Sequence, residues 1–67
     1  MAFGERLKAT RTTLGLTQEE LAEMVGTTKQ AISRYENGGR EPNLRTAKIL
    51  ADRLGVSLDD LAEARRH

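Results

Sequence analysis

Glycines at positions 15, 26, 38, 39 and 55 cut this chain into short pieces, and each piece carries apolar residues at helical spacing. None of the pieces is much longer than a dozen residues. Isolated helices below about 12–15 residues are marginal in water, so these pieces must bury their apolar faces against one another. No two-residue alternation persists over four residues, which argues against strands. The chain has no cysteine, so neither disulfides nor thiolate-held metal can staple it. Its 67 residues suit one small domain with one core. With 37% hydrophobic and 31% charged residues, the composition favours a soluble globule over disorder. The expected class is all-α.

The pieces read as five helices. The first runs from about Phe3 to Leu14, with Phe3, Leu7 and Leu14 on one face and Gly15 as its stop. The second opens at Thr17-Gln18-Glu19-Glu20, where Thr17 and Glu20 have capping-box spacing. Leu21, Ala22 and Val25, helped by Met24, form its buried face, and Gly26 ends it after about eight residues. Thr27 or Thr28 caps the third helix, which runs to about Glu36 with Ile32 and Tyr35 facing inward. Asn37-Gly38-Gly39 and then Pro42 break the chain. Asn43 caps a fourth helix whose Leu44, Ala47, Leu50, Ala51 and Leu54 trace a broad apolar stripe up to Gly55. Ser57-Leu58-Asp59-Asp60 caps a short fifth helix with Leu58 and Leu61 inward, and residues 64–67 are expected to fray.

Several function classes lack the residues they need. The single histidine is His67, the last residue, and there is no cysteine, so no Ser-His or Cys-His arrangement exists. The carboxylates are spread over expected solvent faces. The chain is therefore not expected to be an enzyme, nor to need a metal, a cofactor or a small-molecule substrate. No run approaches the ~18 apolar residues of a membrane helix, and no secretory leader is apparent. The expected location is cytoplasmic.

Overall charge is +1, but its distribution is uneven. Residues 1–17 carry net +2, residues 18–26 net −3, residues 27–48 net +3 and residues 49–67 net −1. The basic central stretch contains Lys29, Arg34, Arg40, Arg45 and Lys48. It reads either as ordinary alternation of surface charge or as a local anion-binding face.

The second and third helices, joined by Gly26 and two threonines, have the form of a helix-turn-helix. Ala22 is small where two helices cross, Gly26 permits positive φ in the turn, and Ile32 plugs the second helix of the pair onto the first. The outer face of the third helix then carries Lys29, Gln30, Ser33 and Arg34. All four can hydrogen-bond to base edges. Arginine suits the O6 and N7 of guanine, and glutamine suits the N6 and N7 of adenine. From periodicity alone, a solvated surface helix accounts for this face equally well.

The run Gly15-Leu16-Thr17-Gln18-Glu19-Glu20-Leu21-Ala22, followed by Gly26-Thr27-Thr28-Lys29-Gln30-Ala31-Ile32-Ser33-Arg34-Tyr35-Glu36-Asn37-Gly38, closely resembles the Cro/C1-type helix-turn-helix family, also called the XRE family. Pro42-Asn43-Leu44 and Leu54-Gly55-Val56-Ser57-Leu58 fit its fourth and fifth helices. The resemblance covers about residues 3–62 and implies one domain over residues 1–67. It also implies a compact five-helix, lambda-repressor-like DNA-binding fold. Members are mostly bacterial and phage transcription regulators that bind double-stranded operator DNA as homodimers. A repressor is the expected function. An antitoxin or protein-interaction module of the same fold is the alternative. RNA binding fits less well, because Phe3 and Tyr35 are the only aromatics and both look buried.

Carried over residue by residue, the resemblance puts Gln18 on a DNA phosphate and Lys29, Gln30, Ser33 and Arg34 on the base-reading positions. Asn37 and Arg40 fall in the loop that touches the DNA backbone. Arg11 and Glu36 match positions that form an internal ion pair. Thr10, Leu14 and Ala47 depart from the family pattern in helices one and four. The apolar edge around Val56, Leu58 and Leu61 is the candidate dimer contact.

Overall fold

The computed structural model describes residues 2–57, which fold into four α-helices: α1 (Ala2–Thr13), α2 (Gln18–Val25), α3 (Lys29–Asn37) and α4 (Leu44–Leu54). No strand occurs among the described residues. The structure therefore shows four helices where five were expected. The stretch expected to form the fifth, from Leu58 onward, lies outside the described residues, as do Leu61 and the expected fraying tail.

The helix boundaries follow from local chemistry. Thr17 accepts from the Glu20 backbone N–H while the Glu20 carboxylate accepts from the Thr17 N–H, a complete capping box. Thr28, rather than Thr27, caps α3 by accepting from Ala31 N–H at 3.1 Å. Asn43 caps α4 through Thr46 N–H at 2.8 Å. Each such cap is worth about 1 kcal/mol. In the turn between α2 and α3, Gly26 adopts φ 76°, which lets Thr27 N–H bond back to Ala22 O at 2.9 Å. That compact reversal sets the angle at which α3 leaves α2.

The core is built from Leu7 of α1, Leu21 and Ala22 of α2, Ile32 and Tyr35 of α3, and Leu50, Ala51 and Leu54 of α4. Leu7, Leu21, Ile32 and Leu50 are fully enclosed, each contributing about 1.5–3 kcal/mol of apolar burial. Phe3, Leu16, Val25, Ala31 and Val56 pack around this centre. α3 packs on α1 and α2, and α4 packs on α2. The face of α3 opposite Ile32 and Tyr35 is left outward.

Three expected core residues are not in the core. Leu14 is 51% exposed: α1 ends at Thr13, and the following turn brings Leu16 inward instead. Leu44, the first residue of α4, is 69% exposed. Met24 also remains largely outside, at 38%. Ala47 is buried despite its small volume. Val56, of the expected dimer edge, is half-buried and packs against the core, and its expected companions Leu58 and Leu61 lie outside the described residues.

Gly4, which none of the expected helix stops or turns uses, fixes how α1 meets α3. A Cβ there would lie 2.5 Å from Tyr35 O and 2.7 Å from Glu36 O. Only glycine lets the two backbones approach this closely, and the approach brings Arg11 of α1 alongside the last turn of α3.

Candidate nucleic-acid interface

α3 is amphipathic in the way its sequence requires. Ile32, Tyr35 and Glu36 point inward, whereas Lys29, Gln30, Arg34 and Asn37 are exposed and Ser33 is half-buried. Thr28 starts the helix and Gly38, at φ 81°, ends it, so the outward face is just over two turns long. The amide of Asn37 donates to Ser33 Oγ at 3.4 Å, one turn back, leaving the Ser33 hydroxyl proton free to be donated. Arg40 is exposed in the loop before α4, and Arg45 and Lys48 are exposed on α4. Among the described residues, no carboxylate forms an ion pair with Lys29, Arg34 or Arg40. These charges are therefore available to an anion.

Behind this face lies a three-helix polar cluster. Arg11 donates from Nε to Glu36 Oε2 at 2.6 Å and from Nη2 to Glu36 Oε1 at 3.1 Å. Its Nη1 donates to Leu16 O at 2.7 Å, tying the pair to the α1–α2 turn. Gln18 Nε2 also donates to Glu36 Oε1, at 3.0 Å. The Glu36 side chain is only 1% exposed, so this carboxylate needs its three donors. The hydrogen bond to Glu36 raises the Arg11 pKa above the ordinary guanidinium value. Desolvation opposes the shift, and the nearby negative charge adds to it.

The structure thus brings Arg11 and Glu36 together, as the resemblance implied, and adds to the pair Gln18, which the resemblance had placed only on a DNA phosphate. The link spans 18 positions and has no local signal. Nor did sequence reveal Arg53 Nε donating to Met24 O at 3.1 Å, which joins α4 to the end of α2. The signal available for Gly4 was its presence inside a helical run, where a glycine needs a packing reason. Among the described residues, no group of three or more His, Cys, Asp or Glu side chains is placed to hold a metal. No helix among them is long and apolar enough to cross a membrane.

Comparison with known proteins agrees with this architecture. The sequence model of a helix-turn-helix family matches residues 7–61. The SPbeta prophage-derived HTH-type transcriptional regulator YonR of Bacillus subtilis (strain 168) is 48% identical over 59 residues, covering 88% of this chain and 55% of that protein. The P22 c2 repressor, solved in complex with a synthetic operator, superposes with a TM-score of 0.86 at 38% identity, covering 91% of this chain and 92% of the repressor chain. The restriction-modification controller protein C.AhdI from Aeromonas hydrophila gives a TM-score of 0.84 at 36% identity, covering 88% of this chain and 86% of that one. Against the curated relatives the chain is short: it spans 55%, 30% and 51% of the length of three of them. The match across residues 7–61, the helix-turn-helix of α2 and α3, and the superposition on the P22 c2 repressor agree: this chain belongs to the Cro/C1-type helix-turn-helix family.

Proposed function

We propose that this chain is a sequence-specific double-stranded DNA-binding transcriptional regulator, acting as a repressor and reading the major groove with α3. The observation that carries the reading is the outward face of α3: exposed, polar, basic, and mounted as the second helix of a helix-turn-helix. A nine-residue helix is about 13 Å long and enters a major groove about 12 Å wide. Lys29 to Arg34 spans roughly 7.5 Å of helix axis, the height of about two base-pair steps.

In this reading Arg34 donates two hydrogen bonds to a guanine, and Gln30, one turn earlier, recognises an adenine. Lys29 and Ser33 complete the reading face. Gln18, Asn37 and Arg40 hold the phosphate backbone and carry no sequence information. Arg11 and Glu36 keep the scaffold in register. The two aromatics, Phe3 and Tyr35, pack in or against the core, so they offer no stacking platform for single strands. The regulator works as a homodimer in the cytoplasm, with two copies of α3 in half-sites about 34 Å apart. Selecting bound sequences from random duplex DNA tests this directly. The expected result is a two-fold symmetric site bound by two chains. Failure to enrich any sequence would refute the reading and favour a protein-interaction module of the antitoxin kind.

A further inference from the structure

Gln18 is held in a way that determines which end of its amide is presented. Its Nε2 lies 3.0 Å from Glu36 Oε1, and a carboxylate can only accept. Turning the amide over would set its oxygen against that carboxylate oxygen, acceptor against acceptor. The Glu36 carboxylate cannot swing away, because Arg11 grips both of its oxygens, at 2.6 and 3.1 Å, and the side chain is 1% exposed. Arg11 is itself fixed by the Leu16 carbonyl at 2.7 Å. One Nε2 hydrogen of Gln18 is therefore committed inward. The other, about 120° away on the same planar nitrogen, points away from Glu36, at the first residue of α2.

We propose that Glu36, clamped by Arg11, is a positioning residue that fixes the Gln18 amide so that a donor rather than an acceptor faces a DNA phosphate. This deepens the reading above and rests on its assignment of Gln18 to the backbone. Glu36 acts through Gln18 without touching DNA. The Arg11 charge offsets that of Glu36, so the carboxylate orients the amide without repelling the phosphate. Ordering the glutamine before binding removes an entropic cost that a free surface side chain would meet on association. By the typical cost of immobilising such a side chain, this is worth about 3–10-fold in affinity.

The test is a double-mutant cycle of Gln18→Ala and Glu36→Gln, with binding to a duplex enriched from random DNA and unfolding by denaturant measured in parallel. Glu36→Gln should weaken binding about 3–10-fold in the otherwise native chain. In the Gln18→Ala background it should change binding less than about 2-fold, while its effect on unfolding stays the same in both backgrounds. A purely structural Glu36 would weaken binding equally with and without Gln18→Ala, and that outcome overturns the proposal. A second readout uses the unmutated chain and does not depend on any variant folding. In its NMR spectrum, one of the two Gln18 side-chain amide protons should resonate downfield of its free-amide position before DNA is added, as a proton bonded to a carboxylate does, and the other should shift on addition of the duplex. Both protons at their free-amide positions before DNA is added would overturn the positioning role. If no duplex is enriched at all, the DNA reading fails and this inference fails with it. If a duplex is bound and Gln18→Ala weakens it, equal Glu36→Gln effects in the two backgrounds reject the inference alone.

Discussion

Replacing Arg11 with methionine should come close to unfolding this domain. Methionine keeps an unbranched apolar stem in place of that of Arg11, so the loss falls chiefly on the guanidinium. Two groups lose partners. The Glu36 carboxylate, 1% exposed, keeps only the Gln18 amide, and Leu16 O loses the donor at 2.7 Å. Removing one side of a buried ion pair costs about 3–5 kcal/mol, chiefly by leaving the other charge uncompensated. At about 0.05–0.15 kcal/mol per residue, a chain of this length has roughly 3–10 kcal/mol in total. The substitution therefore removes a third or more of the stability. Urea denaturation followed by the helical circular-dichroism signal measures this, with an unchanged m-value showing that the same surface unfolds. The companion variant is Arg11→Met with Glu36→Leu, which removes both charges and should recover much of the loss. A loss below about 1 kcal/mol for Arg11→Met, the range of an exposed pair, would refute the argument. So would a double variant no more stable than the single one.

Other perturbations have equally defined outcomes. Gly4→Ala should destabilise by about 1–3 kcal/mol despite alanine's better helix propensity, because its Cβ meets the Tyr35 and Glu36 carbonyls at 2.5 and 2.7 Å. A gain in thermal midpoint would show that α1 can move away at no cost. The raised Arg11 pKa implies stabilisation that is fully present below the unfolded guanidinium value and lost only as pH rises through the folded one. Arg11 should thus add no slope to the stability of the unmutated chain between about pH 6 and 9, and denaturation midpoints falling across that range with no other titrating group to account for them would contradict it. With no Cys/His cluster in the sequence, a chelator should leave the helical signal unchanged, and its collapse would reveal a required metal.

What sequence made legible was what local chemistry decides. The Thr17–Glu20 capping box, the Asn43 cap and the glycine stops at 26, 38 and 55 are set within four residues of chain, and the structure has each of them. Ile32 and Tyr35 follow from spacing on a helix that must bury one side. Burial at the ends of helices was not legible in this way. Leu14 matches the stripe of α1 by periodicity, but the helix stops one residue short of it, and Leu16 packs against the core instead. Leu44 matches the stripe of α4 but, as the first residue of the helix, stays exposed. The pairing of Arg11 with Glu36 was expected from resemblance. The third donor, Gln18, depends on how α2 docks against α3, and no pattern within either helix encodes that. The outward side chains of α3 were identified because an amphipathic helix assigns them by elimination. Their chemistry toward bases rests on groove geometry outside the chain.

The central claim is that Arg34 reads a base while Gln18 holds the backbone. It is tested most directly by measuring Arg34→Ala and Gln18→Ala binding to the selected duplex and to a scrambled duplex across a range of salt concentrations. Arg34→Ala should lose about 5–150-fold on the selected duplex, the equivalent of roughly 1–3 kcal/mol of base discrimination, and far less on the scrambled one. Gln18→Ala should weaken both duplexes by the same factor and leave the salt slope unchanged, because glutamine carries no charge to release counterions. Equal losses on both duplexes for Arg34→Ala would contradict the account. They would make Arg34 a backbone anchor and leave base reading to Gln30 and Ser33.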